Sequence, residues 1–221
     1  MCLKPLILPD RVVKCGHCIQ CLIQRSQEWA FRLEREALSA KTGMFITLTY
    51  NDQNAIWLDG PNGELITTLD KTDFQKFMRA LRKKSYRQAG KSNAWNEKIR
   101  YFACGEYGGK TKRAHYHAII FNVDNKTRAQ IAQIWNKGHV KIGDVTPKSI
   151  RYVTNYMLLK DIDLIEGQNK PFTLMSKKPI LGAKYVVNNY THHVPDLDYK
   201  LKYPGPERNL YRSLEKQLFN K

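Results

Sequence analysis

The chain has 221 residues and carries 37 Lys and Arg against 20 Asp and Glu, a formal net charge of +17 at pH 7. This length suits one sizeable core, or one core with a small appendage. No apolar run approaches the roughly 20 residues that span a bilayer, and Pro5 and Pro9 interrupt the apolar patch of the first 13 residues, so neither a membrane span nor a signal peptide is expected. A basic protein at a membrane surface would share this charge. Nucleic acid is the favoured partner, because each Lys or Arg placed against a phosphate releases condensed counterions.

The chain begins with a cluster of cysteines. Three of the five, Cys15, Cys18 and Cys21, lie too close together for a disulfide framework, which favours a reducing compartment such as a cytoplasm. Cys2 would complete the four ligands of a tetrahedral zinc site, and His17 is another candidate ligand. An iron–sulfur cluster, or a set of reduced thiols at the start of the first helix, stays open as an alternative.

The next segments predict a helix, a strand, a hairpin and a second helix. Residues 19–40 have helical periodicity, and residues 44–50 (MFITLTY) are typical of a buried strand. Asn62-Gly63 predicts the turn of a hairpin. The second helix, over residues 69–88, has a strongly basic outward end. Its predicted inward residues are Phe74, Phe77, Met78 and Leu81.

The second half of the chain alternates strands and helices. The predicted elements are strands over 98–105, 115–123 and 138–145, and helices over 124–135 and 147–160. This order predicts an α+β fold with a central antiparallel sheet and helices mainly on one face. Residues 1–160 are expected to form the main domain, and residues 161–221 a basic C-terminal extension packed on it.

His115 and His117 are the first candidate site residues. Residues i and i+2 of a strand point to the same face, so the two imidazoles project together while Tyr116 turns away. A short turn would bring Glu106 back beside them, and a carboxylate with two imidazoles suits Mg²⁺ or Mn²⁺. Two hydrogen-bonded core histidines and a solvated glutamate are the alternative interpretation.

A second candidate group lies on the helix predicted over residues 147–160. Residues i and i+4 stack on one helix face, so Tyr152, Tyr156 and Lys160 form one stripe. A phenol with a pKa near 10 attacks a phosphodiester only when a cation polarises the phosphate or a lysine lies near it. Two amphipathic tyrosines at the border of a helix are the alternative.

Taken together, these motifs resemble the HUH endonucleases, the rolling-circle replication initiators. His115-Tyr116-His117 resembles their His-hydrophobic-His motif, residues 45–50 their first motif, and residues 104–108 (CGEYG) the segment with the acidic metal ligand. Residues 152–160 resemble their tyrosine helix. The match is strongest to the initiators of gokushovirus-type phages (Microviridae), and it extends to residues 15–21, 29–36 and 175–185.

The resemblance implies an RRM-like core in which His115, His117 and Glu106 hold Mg²⁺ or Mn²⁺. Tyr152 or Tyr156 would attack the phosphate, leaving a 5′-phosphotyrosine and a free 3′-hydroxyl. Implied partners are single-stranded DNA at a viral origin and a host helicase and polymerase, since the sequence has no nucleotide-binding loop of its own. The implied location is the host bacterial cytoplasm. Basic residues expected to follow the DNA backbone are Arg79, Arg82, Lys83 and Lys84.

The tyrosine helix departs from the family pattern, which has a lysine three residues after each tyrosine. Asn155 stands at the first of these positions and Leu159 at the second, with Lys160 one residue later. Its i+4 spacing from Tyr156 slightly favours that tyrosine as nucleophile. Two rival functions remain: a relaxase or transposase of the same superfamily, and a single-strand-binding module without catalysis.

Overall fold

The computed structural model describes residues 2–89, 98–109, 111–158 and 164–188, together with 206, 209, 210, 213, 214 and 216. The strands are β1 (Leu6–Ile7), β2 (Val12–Val13), β3 (Gly43–Thr49), β4 (Ile56–Asp59), β5 (Leu65–Thr68), β6 (Arg100–Tyr107), β7 (Ala114–Phe121), β8 (Val140–Gly143) and β9 (Phe172–Met175). The helices are α1 (Ile19–Ser39), α2 (Lys71–Ala89), α3 (Asn125–Arg128), α4 (Ile131–Trp135), α5 (Pro147–Asn155) and α6 (Ala183–Asn188). They form two compact units. The sheet unit comprises Ala40–Thr146 and Asp161–Ser176, and the helical unit comprises Met1–Ser39, Pro147–Lys160 and Lys177–Lys221.

The sheet unit is built on a five-stranded antiparallel sheet in the order β8-β3-β7-β6-β9. Alternation along β7 turns Tyr116 toward two helices, where its ring contacts Phe74 of α2 and Trp135 of α4. The buried residues of α2 include Phe74, Phe77, Met78 and Leu81, as predicted. This arrangement confirms the predicted α+β fold with a central antiparallel sheet.

One predicted helix is two helices in the structure. Asp124 caps α3 as expected, with its carboxylate accepting the amide of Thr127 at 2.8 Å. The amide of Gln130 then bonds to the carbonyl of Thr127, only three residues back. This tighter bond interrupts the i to i−4 ladder, so α4 begins anew at Ile131.

The tail beyond residue 160 contributes to the sheet. β9 pairs with β6 at the edge, in a register that places Phe172 opposite Gly105 and Met175 opposite Phe102. The sequence alone predicts this segment only as an extension, because four residues are a weak strand signal without their partner. The domain boundary at residue 160 therefore stays a prediction.

The helical unit joins α1, α5 and α6. Its small apolar cluster consists of Ile180, Ala183, Val186, Leu210 and Leu214. Near the end of α1, the carboxylate of Glu36 accepts the amide of Gly182 at 2.7 Å. In the first half of α1, the hydroxyl of Ser26 donates to the side chain of Asn155 at 3.1 Å. Among the described residues, no helix is long and apolar enough to cross a membrane.

Candidate metal centre and nuclease site

The register of β6 and β7 brings the predicted metal ligands together. Glu106 lies directly opposite His115 in the antiparallel pair, so both side chains share one face with His117. The Oε1 atom of Glu106 is 2.7 Å from Nε2 of His115 and 3.0 Å from Nε2 of His117. This face is opposite to the one covered by α2 and α4.

Each histidine has a hydrogen-bond partner at its other ring nitrogen. Nδ1 of His115 is 3.0 Å from the carbonyl of Arg113, and Nδ1 of His117 is 2.9 Å from the hydroxyl of Thr47. A carbonyl only accepts, so Nδ1 of His115 carries hydrogen. Phe45 stacks on His117 with ring centroids 5.7 Å apart. Partners of this kind orient the rings of metal-binding histidines.

Thr47 and Phe45 are site residues that the sequence patterns do not identify individually. Their strand is recognisable as a motif, but their contacts depend on the register between β3 and β7, which places Thr47 opposite His117. Alternation within residues 44–50 is the available signal, since it places both side chains on one face.

Burial and mutual contact set the charges of the three groups. Burial opposes ionisation of Glu106, but hydrogen bonds from the two histidines outweigh it and hold its pKa below the usual value. Burial also opposes protonation of His115, yet hydrogen bonds to Glu106 and Arg113 raise its pKa. Burial lowers the pKa of His117, and repulsion from His115 adds to this effect. A carboxylate beside a protonated His115 and a neutral His117 is the resulting charge state.

The donor set fits a divalent cation. One carboxylate oxygen and two imidazole nitrogens all lie within 4.8 Å of one another. Oxygen donors suit Mg²⁺ and Mn²⁺, and a His₂Glu set also binds Zn²⁺. The two Nε2 atoms and the carboxylate face one point, and the Nδ1 atoms are already occupied by their partners. These residues therefore match the predicted metal site.

An open cavity of about 560 Å³ lies beside His115 in the sheet unit. Thr49, Asn51, Arg113 and His139 contribute to its lining. Arg113 is held there by the carboxylate of Asp52 at 2.6 Å and by the carbonyl of Tyr50. The volume and the polar lining suit a nucleotide-sized ligand.

The tyrosine stripe is present, with one correction. Tyr152 is exposed and Tyr156 is half-buried, and their rings meet edge to face with centroids 5.1 Å apart. The α-helix ends at Asn155, however, and Tyr156 begins a 3₁₀ turn (Tyr156–Leu158), so the helix does not run to about residue 160 as predicted. Lys160 lies outside the described residues, and the i+4 spacing that favoured Tyr156 does not continue in helical form.

The basic residues predicted to bind DNA lie on α2. Arg79, Arg82 and Lys83 are exposed, and Lys84 is half-buried. The guanidinium of Arg82 lies over the ring of Tyr101 at 5.3 Å. Because α2 covers the face of the sheet opposite to the histidines, these side chains do not line the cavity beside His115. Their contact with DNA stays a prediction.

The four predicted cysteine ligands form a cluster in the helical unit. Sγ of Cys2 is 3.6 Å from Sγ of Cys15 and 3.8 Å from Sγ of Cys18, and Cys15 is 3.9 Å from Cys21. His17 is exposed, and its amide donates to Sγ of Cys15. The fifth cysteine, Cys104, is buried in β6.

Three curated phage proteins resemble the chain. Replication-associated protein ORF2 of Spiroplasma virus 4 is 33% identical over 210 residues, or 84% of this chain and 60% of the relative. Replication-associated protein VP4 of Bdellovibrio phage phiMH2K is 31% identical over 78% of this chain and 56% of the relative. Replication-associated protein ORF4 of Chlamydia phage 1 is 27% identical over 66% of this chain and 38% of the relative. The chain thus spans 60% or less of the length of these relatives.

Among solved structures, the N-terminal nuclease domain of the minute virus of mice non-structural protein 1 aligns with 77% of this chain and 82% of its own. Its TM-score of 0.25 at 10% identity carries no argument. The family of replication-associated protein ORF2 matches residues 43–161, a span that includes the metal cluster and both tyrosines. With more than half of its length inside that match, and with relatives in Microviridae phages, the chain belongs to the replication-associated proteins of gokushovirus type.

Proposed function

We propose that this chain initiates rolling-circle replication by nicking single-stranded DNA at a phage origin and later rejoining it. The observation that carries the proposal is the buried cluster of Glu106, His115 and His117 beside an open polar cavity, in a chain of this family. A relaxase or transposase would use similar ligands, but the family match favours replication.

The chain's residues would prepare a phosphate for attack. Glu106, His115 and His117 hold a divalent cation, most simply Mg²⁺ or Mn²⁺, which supplies Lewis-acid polarisation of the scissile phosphate. Thr47 and the Arg113 carbonyl keep both Nε2 atoms directed at the ion's position. Arg113, fixed by Asp52, adds a positive charge at the cavity for the DNA backbone.

The proposed nucleophiles are Tyr152 and Tyr156. The phenolic oxygen forms a bond to the phosphorus, and the bond from phosphorus to the 3′ oxygen breaks. The 3′ oxygen takes up a proton and becomes the free hydroxyl that primes synthesis, while the 5′ phosphate stays on the tyrosine. A second tyrosine one helical turn away cuts again after a full circle, and reversal of the first step joins the ends. Lys160 is proposed to assist loss of the phenolic proton.

The remaining components follow from this reaction. Single-stranded DNA at the viral origin is the proposed substrate, and a host helicase and polymerase would separate and copy the strands. The proposed location is the cytoplasm of the host bacterium, where that machinery acts.

A covalent-adduct assay tests the proposal. The chain is incubated with Mn²⁺ and end-labelled single-stranded oligonucleotides that tile the replicon encoding it, and the products are separated on a denaturing gel. We expect one oligonucleotide to yield a protein–DNA adduct and a shortened strand with a 3′-hydroxyl. The double variant Tyr152→Phe/Tyr156→Phe should form no adduct, and the single variants show which phenol carries it.

Tyr86→Phe is the matched control, since Tyr86 is exposed on α2 and is not a proposed nucleophile. Adduct formation by the double tyrosine variant would contradict the assignment of the nucleophiles. Binding of DNA without any adduct, with or without Mn²⁺, would identify the chain as a non-catalytic single-strand-binding module instead.

A further inference from the structure

We propose that Cys2, Cys15, Cys18 and Cys21 form a structural zinc site that anchors the start of α1. The proposal concerns folding and metal content, so it does not rest on the proposed nuclease activity. Three independent observations carry it: the spacing of the four sulfurs, the backbone around them, and the sparse packing of the segment that precedes α1.

The spacing of the sulfurs matches one tetrahedral ion. A zinc–sulfur bond of about 2.3 Å places the corners of a tetrahedron about 3.8 Å apart. The three measured sulfur separations are 3.6, 3.8 and 3.9 Å. An iron–sulfur cluster would place several iron and sulfide atoms among the thiolates and would hold them further apart. The spacing therefore favours a single ion over a cluster.

The backbone around the cluster is arranged to stabilise negative sulfurs. Sγ of Cys15 accepts the amides of His17 and Cys18, at 3.5 and 3.3 Å. Sγ of Cys18 accepts the amide of Leu3 at 3.5 Å, and Sγ of Cys2 accepts the amide of Cys15 at 3.4 Å. The chain turns between Cys15 and Cys18 through Gly16, whose φ of 77° is one that glycine adopts without strain.

Two of the ligands belong to the start of α1. The carbonyl of Cys18 accepts the amide of Leu22 in the first turn, and Cys21 is a buried residue of that turn. The positive end of the helix dipole lies at this terminus and favours thiolates over thiols. The helix N-terminus thus complements a site that is defined by the four sulfurs.

The segment before α1 has little other stabilisation. β1 and β2 pair at two positions, Leu6 with Val13 and Ile7 with Val12, and a two-stranded hairpin is marginal in water. From Cys2 to Cys18 no residue is fully buried, and Ile7 is 82% exposed. Metal binding would supply the free energy that this segment does not obtain from an apolar core.

Anchoring this end of α1 also orders the helix that carries the tyrosines. Within the helical unit, α1 packs along α5, and Ser26 bonds to Asn155 at its end. Asn155 occupies one of the positions at which the family pattern has lysine. Zinc is therefore inferred to stabilise the unit on which Tyr152 and Tyr156 lie, without contacting them.

Metal content and metal spectroscopy provide the test. After exhaustive dialysis with a weak chelator, elemental analysis of wild type should find one zinc per chain. Cys18→Ala should lose it, while Cys104→Ala, which removes the buried fifth thiol, and His117→Ala, which removes a ligand of the other candidate site, should retain it. Because Cys18→Ala could fail to fold, wild type is also produced with Co²⁺ in place of zinc. An intense visible spectrum with thiolate charge-transfer bands is expected for four sulfur ligands.

The anchoring role has its own readout. Zinc-free wild type should be cleaved by trypsin after Arg11 and Lys14 at least about tenfold faster than the zinc form, because the hairpin opens. Cleavage after Lys126 in the sheet unit serves as the internal control. Wild type without zinc, iron and sulfide in its place, zinc lost by His117→Ala but retained by Cys18→Ala, or equal cleavage of the two forms would each overturn the proposal.

Discussion

At the scale of single residues, Thr47 and Arg113 determine how the two histidines present themselves to Glu106. Each occupies an Nδ1 atom, which leaves Nε2 directed at the carboxylate. The rings are also held by contact, since the His115 and His117 centroids are 4.9 Å apart and the rings are perpendicular. A site arranged in this way needs little reordering to bind an ion, so its affinity should depend on residues that never touch the metal.

Thr47→Val tests this dependence. The change keeps the side-chain shape but removes the hydroxyl partner of His117, so Mn²⁺ affinity should fall about 10–100-fold. Titration followed by electron paramagnetic resonance of free Mn²⁺ measures it. Thr49→Val is the matched control, because Thr49 lies on the same strand and face but contacts the His139 carbonyl instead. Equal affinity for Thr47→Val and wild type would contradict the orienting role.

The pKa shifts of the cluster predict opposite pH responses of the metal-free and metal-bound protein. The raised pKa of His115 stabilises the metal-free fold at low pH and loses this effect as pH rises through that pKa. The lowered pKa of Glu106 gives a contribution that is lost as pH falls through its value. Their pairing therefore stabilises the metal-free protein most at mildly acidic pH.

Metal binding requires His115 without its extra proton, so Mn²⁺ affinity should rise by up to about tenfold per pH unit until pH exceeds that raised pKa. Mn²⁺ titrations at a series of pH values, paired with urea unfolding of the metal-free protein, measure both trends. Glu106→Gln should move the affinity rise to lower pH, since the carboxylate that raises the His115 pKa is gone. An affinity independent of pH would show that no proton is displaced.

The triad could be predicted from sequence because its geometry is local. Two residues apart on a strand share a face, and a short turn returns Glu106 opposite His115. Thr47 could not be assigned in the same way. Its partner lies 70 residues away, and a shift of one residue between β3 and β7 would turn its hydroxyl to the other face.

At the scale of elements, a buried polar network fixes α2 against the sheet. The hydroxyls of Tyr50 and Tyr116 are 2.6 Å apart, and Tyr50 also donates to the carboxylate of Asp73 at 2.9 Å. Tyr116 donates to the carbonyl of Asp70 at 2.7 Å and accepts its amide. Burial raises the pKa of both tyrosines, so they stay neutral donors. Tyr116 lies between the two histidines, and the network therefore also fixes the strand that carries them.

Tyr116→Phe should lower the free energy of unfolding by about 1–3 kcal/mol, because it leaves buried groups of Tyr50 and Asp70 without a partner. Urea denaturation monitored by circular dichroism measures the loss. Tyr86→Phe, which removes an exposed hydroxyl from α2, should be nearly neutral. Similar stability of both variants would show that the network adds nothing net.

Elements with strong periodicity were predictable, and those that depend on distant partners were not. The amphipathic pattern of α2 and the apolar alternation of β7 are written in consecutive residues. β9 has four residues and exists because β6 offers an edge. The break between α3 and α4 follows from a bond between Thr127 and Gln130 that no propensity indicates.

At the scale of the whole molecule, the net charge of +17 favours DNA without specifying where it binds. The sheet unit has two distinct basic regions. Arg113 lies at the cavity beside His115, whereas the α2 cluster of Arg79, Arg82, Lys83 and Lys84 lies on the opposite face of the sheet. A short strand at the cavity would not reach both faces, so α2 is expected to contact DNA that flanks the cleaved site. Cleavage and overall affinity should then be separable.

Replacing Arg79, Arg82, Lys83 and Lys84 with Gln tests this separation. Each lost phosphate contact lowers the slope of log affinity against log salt by about 0.7 for a single strand, so the slope should fall by up to about 3. Fluorescence anisotropy with long and short oligonucleotides across a salt series measures it, and only the long DNA should show the loss. The adduct rate at saturating DNA should stay unchanged, because α2 is remote from Glu106. A charge-matched control replaces four other exposed lysines, Lys4, Lys71, Lys126 and Lys216. An equal fall in slope for both variants would attribute binding to net charge alone, and an unchanged slope for the α2 variant would exclude α2 from the DNA path.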